Sequence, residues 1–247
     1  RPGAPTAHQD GGAQRSLPLR LGQEIQAMLR AQRRDKMIRA VIWDWGGVIQ
    51  RTEDPAPRRQ LATELGLTWE ELERAVFKSA IWQQASLGQI GSEEAWGLIV
   101  TSLGLPPSQV DSFVERFFAG DPIDQHLVRL IRHLHTQGLR MGLLSNAIPP
   151  LAGGRGSMAR WGREDLFEAQ VLSYQVGAPK PDPRMYAAIL AALQVPPAEA
   201  LFIDDVPANV QGAKAAGMEA LQFTGQEALL RDLAAYGLDV APPGEDD

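Results

Sequence analysis

The stretch Ile38-Arg39-Ala40-Val41-Ile42-Trp43-Asp44-Trp45-Gly46-Gly47-Val48-Ile49 constrains this chain more than any other. Its apolar first half, rich in Val and Ile, reads as a buried strand. The run stops at an acid, and two glycines follow. Open α/β sheets place their ligands at the carboxyl ends of buried parallel strands, which is where Asp44 would sit. Glycine lets the backbone turn sharply and come close to a bound group. The same residues also fit a strand that ends in an ordinary polar turn, so the other strand ends decide between the two.

Those ends emerge from the pattern downstream. Residues 139–145 (LRMGLLS), 169–173 (AQVLS), 200–204 (ALFID) and 218–223 read as strands. Helical spacing fills 123–137, 183–194, 207–216 and 225–236. Strands alternating with helices predict an α/β fold, a parallel sheet with helices on both faces. Residues 57–120, between the first and second strands, carry no strand pattern. Helical spacing recurs there at 57–65, 68–78, 81–87, 92–103 and 107–118, punctuated by Gly66, Gly88, Gly91, Gly104 and Gly120. Thr68-Trp69-Glu70-Glu71 and Ser92-Glu93-Glu94 set N-cap residues before acids in a first turn. The spacing predicts a small helical bundle inserted between strands.

The ends of the chain read differently. Residues 1–16 are poor in apolar side chains and rich in Gly and Pro, which predicts a disordered tail. Residues 17–36 have helical spacing, with Leu21, Ile25, Met28 and Leu29 on one face. Met37 stands directly before the first strand, where a natural start would fall, so residues 1–36 read as a tail or extension. A long irregular stretch, 147–165, contains Gly153-Gly154-Arg155-Gly156, and 241–247 form an acidic tail.

Composition excludes several classes of function. With 247 residues, 44% hydrophobic and 22% charged, the chain suits one full-sized domain or a core with a modest insertion. A formal net charge of -6 gives no basic face for nucleic acid. The absence of cysteine excludes disulfides, thiolate catalysis and Cys-based metal sites. No apolar run approaches the length of a membrane span, and residues 1–20 lack an apolar signal core. A cytoplasmic location with no membrane partner is the expectation; the oligomeric state, monomer or homodimer, is not legible.

The second strand ends in Ser145-Asn146, a hydroxyl and a following backbone N–H that can donate to a phosphate oxygen. Ser-Asn is ordinary turn chemistry too. Val176-Gly177-Ala178-Pro179-Lys180-Pro181-Asp182-Pro183 presents Lys180 from a segment stiffened by prolines. A stiffly placed ammonium suits a phosphoryl group or a nucleophilic carboxylate, or it is a solvated loop lysine. Leu201-Phe202-Ile203-Asp204-Asp205 sets adjacent acids after a buried strand. Such neighbours repel unless a cation or hydrogen bonds compensate, and Mg²⁺ is a hard ion that prefers oxygen ligands. Either acid would also serve as a cap for a helix starting near Pro207.

Taken in this order, the chain resembles the haloacid dehalogenase-like superfamily over roughly residues 37–238. Asp44 stands in motif I, Ser145 in motif II, Lys180 in motif III and Asp204-Asp205 in motif IV. The resemblance implies a Rossmann-like three-layer core with a five-stranded parallel sheet and motif I at its centre. It assigns the core to 37–51 and 121–240, and the insert at 52–120 is similar to the α-helical cap of the cap-type-1 branch. It implies that Asp44 attacks phosphorus and that water hydrolyses the resulting aspartyl-phosphate. Mg²⁺ would be held by Asp44, the Gly46 carbonyl, Asp204 and Asp205, supported by Asn209. Ser145 and the Asn146 backbone would bind phosphate oxygens, and Lys180 would join nucleophile and phosphate. In the cap, Trp82, Gln83, Gln84 and Leu87-Gly88-Gln89-Ile90 fall where this cap type faces the site, although Trp82 also suits core packing. Arg51 is placed to reach a substrate anion or to sit in solvent. The implied partner is a small phosphorylated substrate.

One departure stands out. Most phosphatases of this superfamily carry a second Asp two residues after the nucleophile, which protonates the leaving group and activates water. Here the position is Gly46. An Asp-x-Gly branch includes sugar-phosphate phosphatases, and the chain is similar to it. Glu53 and Asp54 are candidate substitutes or exposed linker residues. Phosphonate-cleaving relatives also lack the second Asp and have a Trp after the nucleophile, as Trp45 does, but Lys78 lacks their lysine context. Dehalogenation fits less well, since it needs no magnesium. A non-catalytic phosphate-ester binder is the remaining alternative.

Overall fold

The computed structural model describes residues 37–152 and 164–241. The tail and helical spacing expected at 1–36, the glycine run at 153–156 and the acidic residues 242–247 lie outside the described residues.

The sheet is parallel throughout. Its strands are β1 (Ala40–Trp43), β2 (Arg140–Ser145), β3 (Ala169–Leu172), β4 (Ala200–Asp204) and β5 (Glu219–Gln222), in the order β3-β2-β1-β4-β5. The motif I strand is central, as the resemblance implied. Trp43 pairs with Leu143 on one side and Ile203 on the other. This register brings the next residue of each strand, Asp44, Leu144 and Asp204, level at the carboxyl edge. Asp44 N donates to the Ile203 carbonyl at 2.9 Å, continuing the ladder.

Alternation along β1 makes three layers. Val41 and Trp43 face one core, filled by Leu127, Ile131 and Leu134 of α6 (Gln125–Thr136) and by Leu229 and Leu233 of α10 (Gln226–Ala235). Ala40 and Ile42 face the other, against Met185, Tyr186 and Ile189 of α8 (Pro183–Leu193) and Val210 and Ala213 of α9 (Pro207–Ala215).

Between β1 and β2 stand α1 (Ala56–Glu64), α2 (Trp69–Phe77), α3 (Ala80–Ser86), α4 (Ser92–Ser102) and α5 (Val110–Phe117). They bury a cluster of their own that includes Leu61, Leu72, Val76, Trp96, Ile99, Phe113 and Phe117. Thr68 caps α2 as its sequence predicted: its hydroxyl accepts from Glu71 N, and the Glu71 carboxylate accepts from Thr68 N. The single helix expected at 107–118 is divided. Pro107 opens a 3₁₀ turn, Pro107–Gln109, and Gln109 (φ -95°, ψ 5°) leaves helical geometry before α5 begins. The strand expected to 173 stops at Leu172, and Ser173 starts a short helix, α7 (Ser173–Val176).

The two crossings between insert and core lie side by side. Glu53 N and Asp54 N both donate to the Gly120 carbonyl, at 3.0 and 3.1 Å. A Cβ on Gly120 would meet the Asp54 carbonyl at 1.8 Å, so this contact requires glycine. Glu53 and Asp54 are exposed, as expected of linker residues. Among the described residues no helix is long and apolar enough to cross a membrane.

Candidate active site

The carboxyl edge of the sheet opens into a cavity of about 850 Å³ between the core and the helical insert. Asp44, Gly46, Arg51, Trp82, Ser145, Asn146, Lys180, Asp205 and Asn209 all line it. Asp204 lies behind them, fully buried at the end of β4.

Lys180 ties the strand ends together. Its ammonium donates to the Leu144 carbonyl at 2.9 Å and to Asp204 Oδ2 at 2.7 Å, and it lies 2.7 Å from Asp44 Oδ1. An ammonium has three donors, and these contacts use all three. The expected direct bond from Lys180 to a bound phosphate would therefore have to replace one of them. The presentation of Lys180 has a feature that proline stiffening did not reveal. The Asn146 amide accepts from Lys180 N at 2.7 Å and donates to the Lys180 carbonyl at 3.2 Å. Asn146 thus works through its side chain as a splint between the strand-2 tip and the lysine loop.

Asp44 is left half-engaged. Its Oδ1 accepts from Trp45 N at 2.7 Å and meets Lys180, while Oδ2 has no hydrogen-bond partner among the described residues. Burial, the largest influence, raises the Asp44 carboxyl, Lys180 pulls against it and the Asp204 charge adds to the rise, with the net at about 7. Burial also raises Asp205, and the neighbouring Asp204 adds to the rise.

Asp204 is the most occupied acid. Its oxygens accept from Lys180, from Val206 N at 2.8 Å and from the Asn209 amide at 3.0 Å. Asp205 makes no hydrogen bond from its carboxylate to another residue among the described residues. Carboxylate oxygens of Asp44, Asp204 and Asp205 lie within 4.8 Å of one another. One ammonium against this cluster leaves uncompensated negative charge in a desolvated pocket. An all-oxygen donor set with excess negative charge fits a hard divalent cation such as Mg²⁺. Asp44 Oδ2, the Asp205 carboxylate and the Gly46 carbonyl are the oxygens here that no donor of another described residue reaches.

The turn after β1 explains its glycines. Gly47 sits at φ +81°, and a Cβ there would come within 2.3 Å of Asp205 Oδ2. Only glycine lets the motif I turn pass so close to the motif IV acid. At Gly46 a Cβ would meet nothing within 4 Å. Ser145 is buried at the tip of β2, and its hydroxyl has no partner among the described residues.

Arg51 lines the cavity half-buried, with its guanidinium engaged by protein groups. It donates to the Val48 carbonyl at 2.9 Å and to Asp124 and Glu53, and it stacks over Phe223. Trp82 does both things expected of it: it lines the cavity and packs edge-on against Phe77 and Trp96. Two further supports were not singled out from sequence. Ser173 holds the strand-2 loop by hydrogen bonds to Ala147 N and O, each 3.0 Å. The Gln50 amide accepts from Trp45 Nε1 at 2.7 Å and donates to the Asp121 carbonyl at 3.0 Å. A polar residue after a strand-end Asp or at a strand tip was the only signal available for either.

Residues 38–217 match the haloacid dehalogenase-like hydrolase family. The chain is similar to a sesquiterpene phosphatase of Aspergillus oryzae, 28% identical over 79% of this chain and 94% of that protein. It is also similar to a phosphatase of Mycobacterium tuberculosis, 37% identical over 46% of this chain and 54% of its relative. Among solved structures, a haloacid dehalogenase family enzyme of Bacteroides thetaiotaomicron in complex with magnesium and inorganic phosphate shares the fold. Its TM-score is 0.60 at 22% identity, over 76% of this chain and 96% of that one. With the family match running from β1 to the end of α9 and the motif residues gathered on one cavity, the chain belongs to the haloacid dehalogenase-like hydrolase family.

Proposed function

We propose that this hydrolase is a magnesium-dependent phosphatase that cleaves a small phosphorylated substrate through an aspartyl-phosphate on Asp44. The observation that carries the reading is the half-engaged Asp44 on the cavity lining: Oδ1 is fixed by Trp45 N and Lys180, and Oδ2 has no hydrogen-bond partner among the described residues. A nucleophilic carboxylate has to be oriented on one oxygen and free on the other.

In this reading Asp44 Oδ2 attacks phosphorus, forming an O–P bond as the ester P–O bond breaks and the alcohol leaves. Ser145 Oγ and the Asn146 main-chain N–H donate to the phosphoryl oxygens. Lys180 keeps Asp44 oriented and supplies positive charge behind it. Asp204 holds Lys180 from the opposite side, and Asn209 holds Asp204. A bound Mg²⁺ supplies charge that offsets the repulsion between carboxylate and phosphate. Water then attacks phosphorus, and Asp44 is released as the carboxylate.

The matching phosphatases support the phosphate ester as the bond cleaved. The helical insert, residues 52–120, is proposed as a cap, with its crossings at Glu53-Asp54 and Gly120 as the place where it joins and moves. Gly46 supplies no proton, so the leaving group is protonated by water or by a group outside motif I.

The test is a phosphatase assay with acetyl phosphate and alkyl phosphates, with and without Mg²⁺, on the native chain and on Asp44→Asn. Metal-dependent turnover that the substitution abolishes supports the reading. Saturable binding of phosphate esters without turnover would instead support a binding protein.

A further inference from the structure

We infer that the alcohol part of the substrate is a large apolar group rather than a polyol. The inference rests on the phosphatase reading of the same site and concerns the wall facing the leaving group.

That wall is aromatic. Trp45, Phe77, Trp82, Phe118 and Tyr174 line the cavity. The insert's rings are locked against one another, so the surface is preformed. Phe77 meets Trp82 edge-on at 5.1 Å between centroids and Phe118 at 6.3 Å, and Trp82 meets Trp96 at 5.7 Å. The volume, about 850 Å³, accommodates far more than a phosphate with a short chain, since pockets of about 300–1,000 Å³ hold drug-sized ligands.

Three of the larger polar side chains on this wall are engaged by other protein groups. Gln50 uses both ends of its amide on Trp45 and the Asp121 carbonyl. Trp45 correspondingly spends its indole N–H and presents only ring. Arg58 donates to the Phe117 carbonyl at 2.9 Å, to Glu73 at 2.7 Å and to Asp121, and its guanidinium lies 4.2 Å above the Phe117 ring. Arg51 is committed to Val48, Asp124 and Glu53. A site built for a sugar keeps donors and acceptors free for hydroxyls, because each hydroxyl stripped of water needs a partner. Here Gln50, Arg51 and Arg58 are paired internally, Thr52, Gln170 and the Tyr174 hydroxyl have no hydrogen-bond partner among the described residues, and the rings offer burial of carbon. The aromatic area of this wall points to an apolar alcohol rather than to the sugar phosphate implied by the Asp-x-Gly resemblance. Lys78 also lines the cavity and has no ion pair among the described residues.

The experiment compares kcat/KM for ethyl, butyl, hexyl and octyl phosphate, all esters of primary alcohols, with glycerol 3-phosphate and glucose 6-phosphate. Acetyl phosphate serves as a small activated control. The value is expected to rise about two- to fourfold per methylene up to hexyl. Hexyl phosphate is expected to exceed glucose 6-phosphate, its match in carbon number, by at least about tenfold. In Trp82→Gln, checked for a cooperative thermal transition, the ratio of hexyl to glucose ester is expected to shrink. A flat chain-length series, or a preference for the polyol esters, with Asp44-dependent turnover of acetyl phosphate intact, would overturn the inference and leave the phosphatase reading standing. No turnover of any ester or of acetyl phosphate would overturn both.

Discussion

Lys180 holds its ammonium 2.7 Å from Asp44 Oδ1, with both side chains buried. The same nitrogen meets Asp204 at 2.7 Å, so one cation bridges two acids from neighbouring strands. Lys180→Met removes it and leaves both carboxylates without their partner. Loss of one member of a buried ion pair costs roughly 3–5 kcal/mol. Urea unfolding is expected to show a loss of that order, and turnover is expected to fall to background. Unchanged stability would mean that the acids are compensated by other means.

Gly46 has room for the side chain that it lacks. Gly46→Asp is expected to fold normally and to speed hydrolysis of alkyl phosphates, whose leaving groups need a proton, by about 10²-fold or more. Acetyl phosphate, a good leaving group, is expected to gain much less. Unchanged or lower rates on alkyl esters would place the proton donor elsewhere in the site.

Gly47 and Asp205 form the tightest point of the site. Gly47→Ala pushes a methyl into the Asp205 carboxylate on a left-handed backbone, a change that costs about 1–3 kcal/mol in strain alone. Saturating Mg²⁺ is expected to raise the melting temperature of the native chain, since a ligand at 100 times its Kd adds about 2.7 kcal/mol. Asp205→Asn and Gly47→Ala are each expected to lose most of that rise. A full Mg²⁺ shift in Asp205→Asn would remove Asp205 from the metal site.

Asp124 offers a pH test away from the chemistry. Burial works to raise its carboxyl, but the Arg51 hydrogen bond and the N–H groups of Leu127 and His126 hold it below the ordinary carboxylate range. A carboxyl lowered on folding contributes stability that is present above its unfolded pKa. That contribution is lost as pH falls through the folded value. The native chain is therefore expected to lose stability to Asp124→Asn at neutral pH, with the difference closing below about pH 4. A difference that stayed constant from pH 7 to pH 3 would mean that the ionised carboxylate is not the source.

Much of this arrangement was legible because it is local in sequence. Val41-Ile42-Trp43 announced a buried strand, and Asp44, Ser145 and Asp204-Asp205 each follow directly from one. What escaped notice is long-range. The Asn146 splint reaches Lys180 across 34 residues, the Arg58–Asp121 pair joins positions 63 apart, and Arg51 finds Asp124 across 73. No periodicity predicts such pairs, since the fold brings them together and each residue alone looks like an ordinary loop or helix residue. Arg51 shows the consequence. Its place after the motif I turn predicts its position on the cavity, but not its ion pair with the helix-capping acid Asp124, far along the chain. The break at Gln109 was missed for the opposite reason: Pro107 is acceptable at a helix start, and it opened a 3₁₀ turn instead.

The most direct test of the account is the phosphoryl adduct on Asp44. The native chain is mixed with Mg²⁺ and substrate, quenched in acid within the first turnover, digested and analysed by mass spectrometry. The account predicts one added phosphoryl group on the peptide that contains Asp44, transient in the native chain and absent in Asp44→Asn. Steady turnover with no adduct on that peptide at any quench time, or an adduct on another residue, would contradict it.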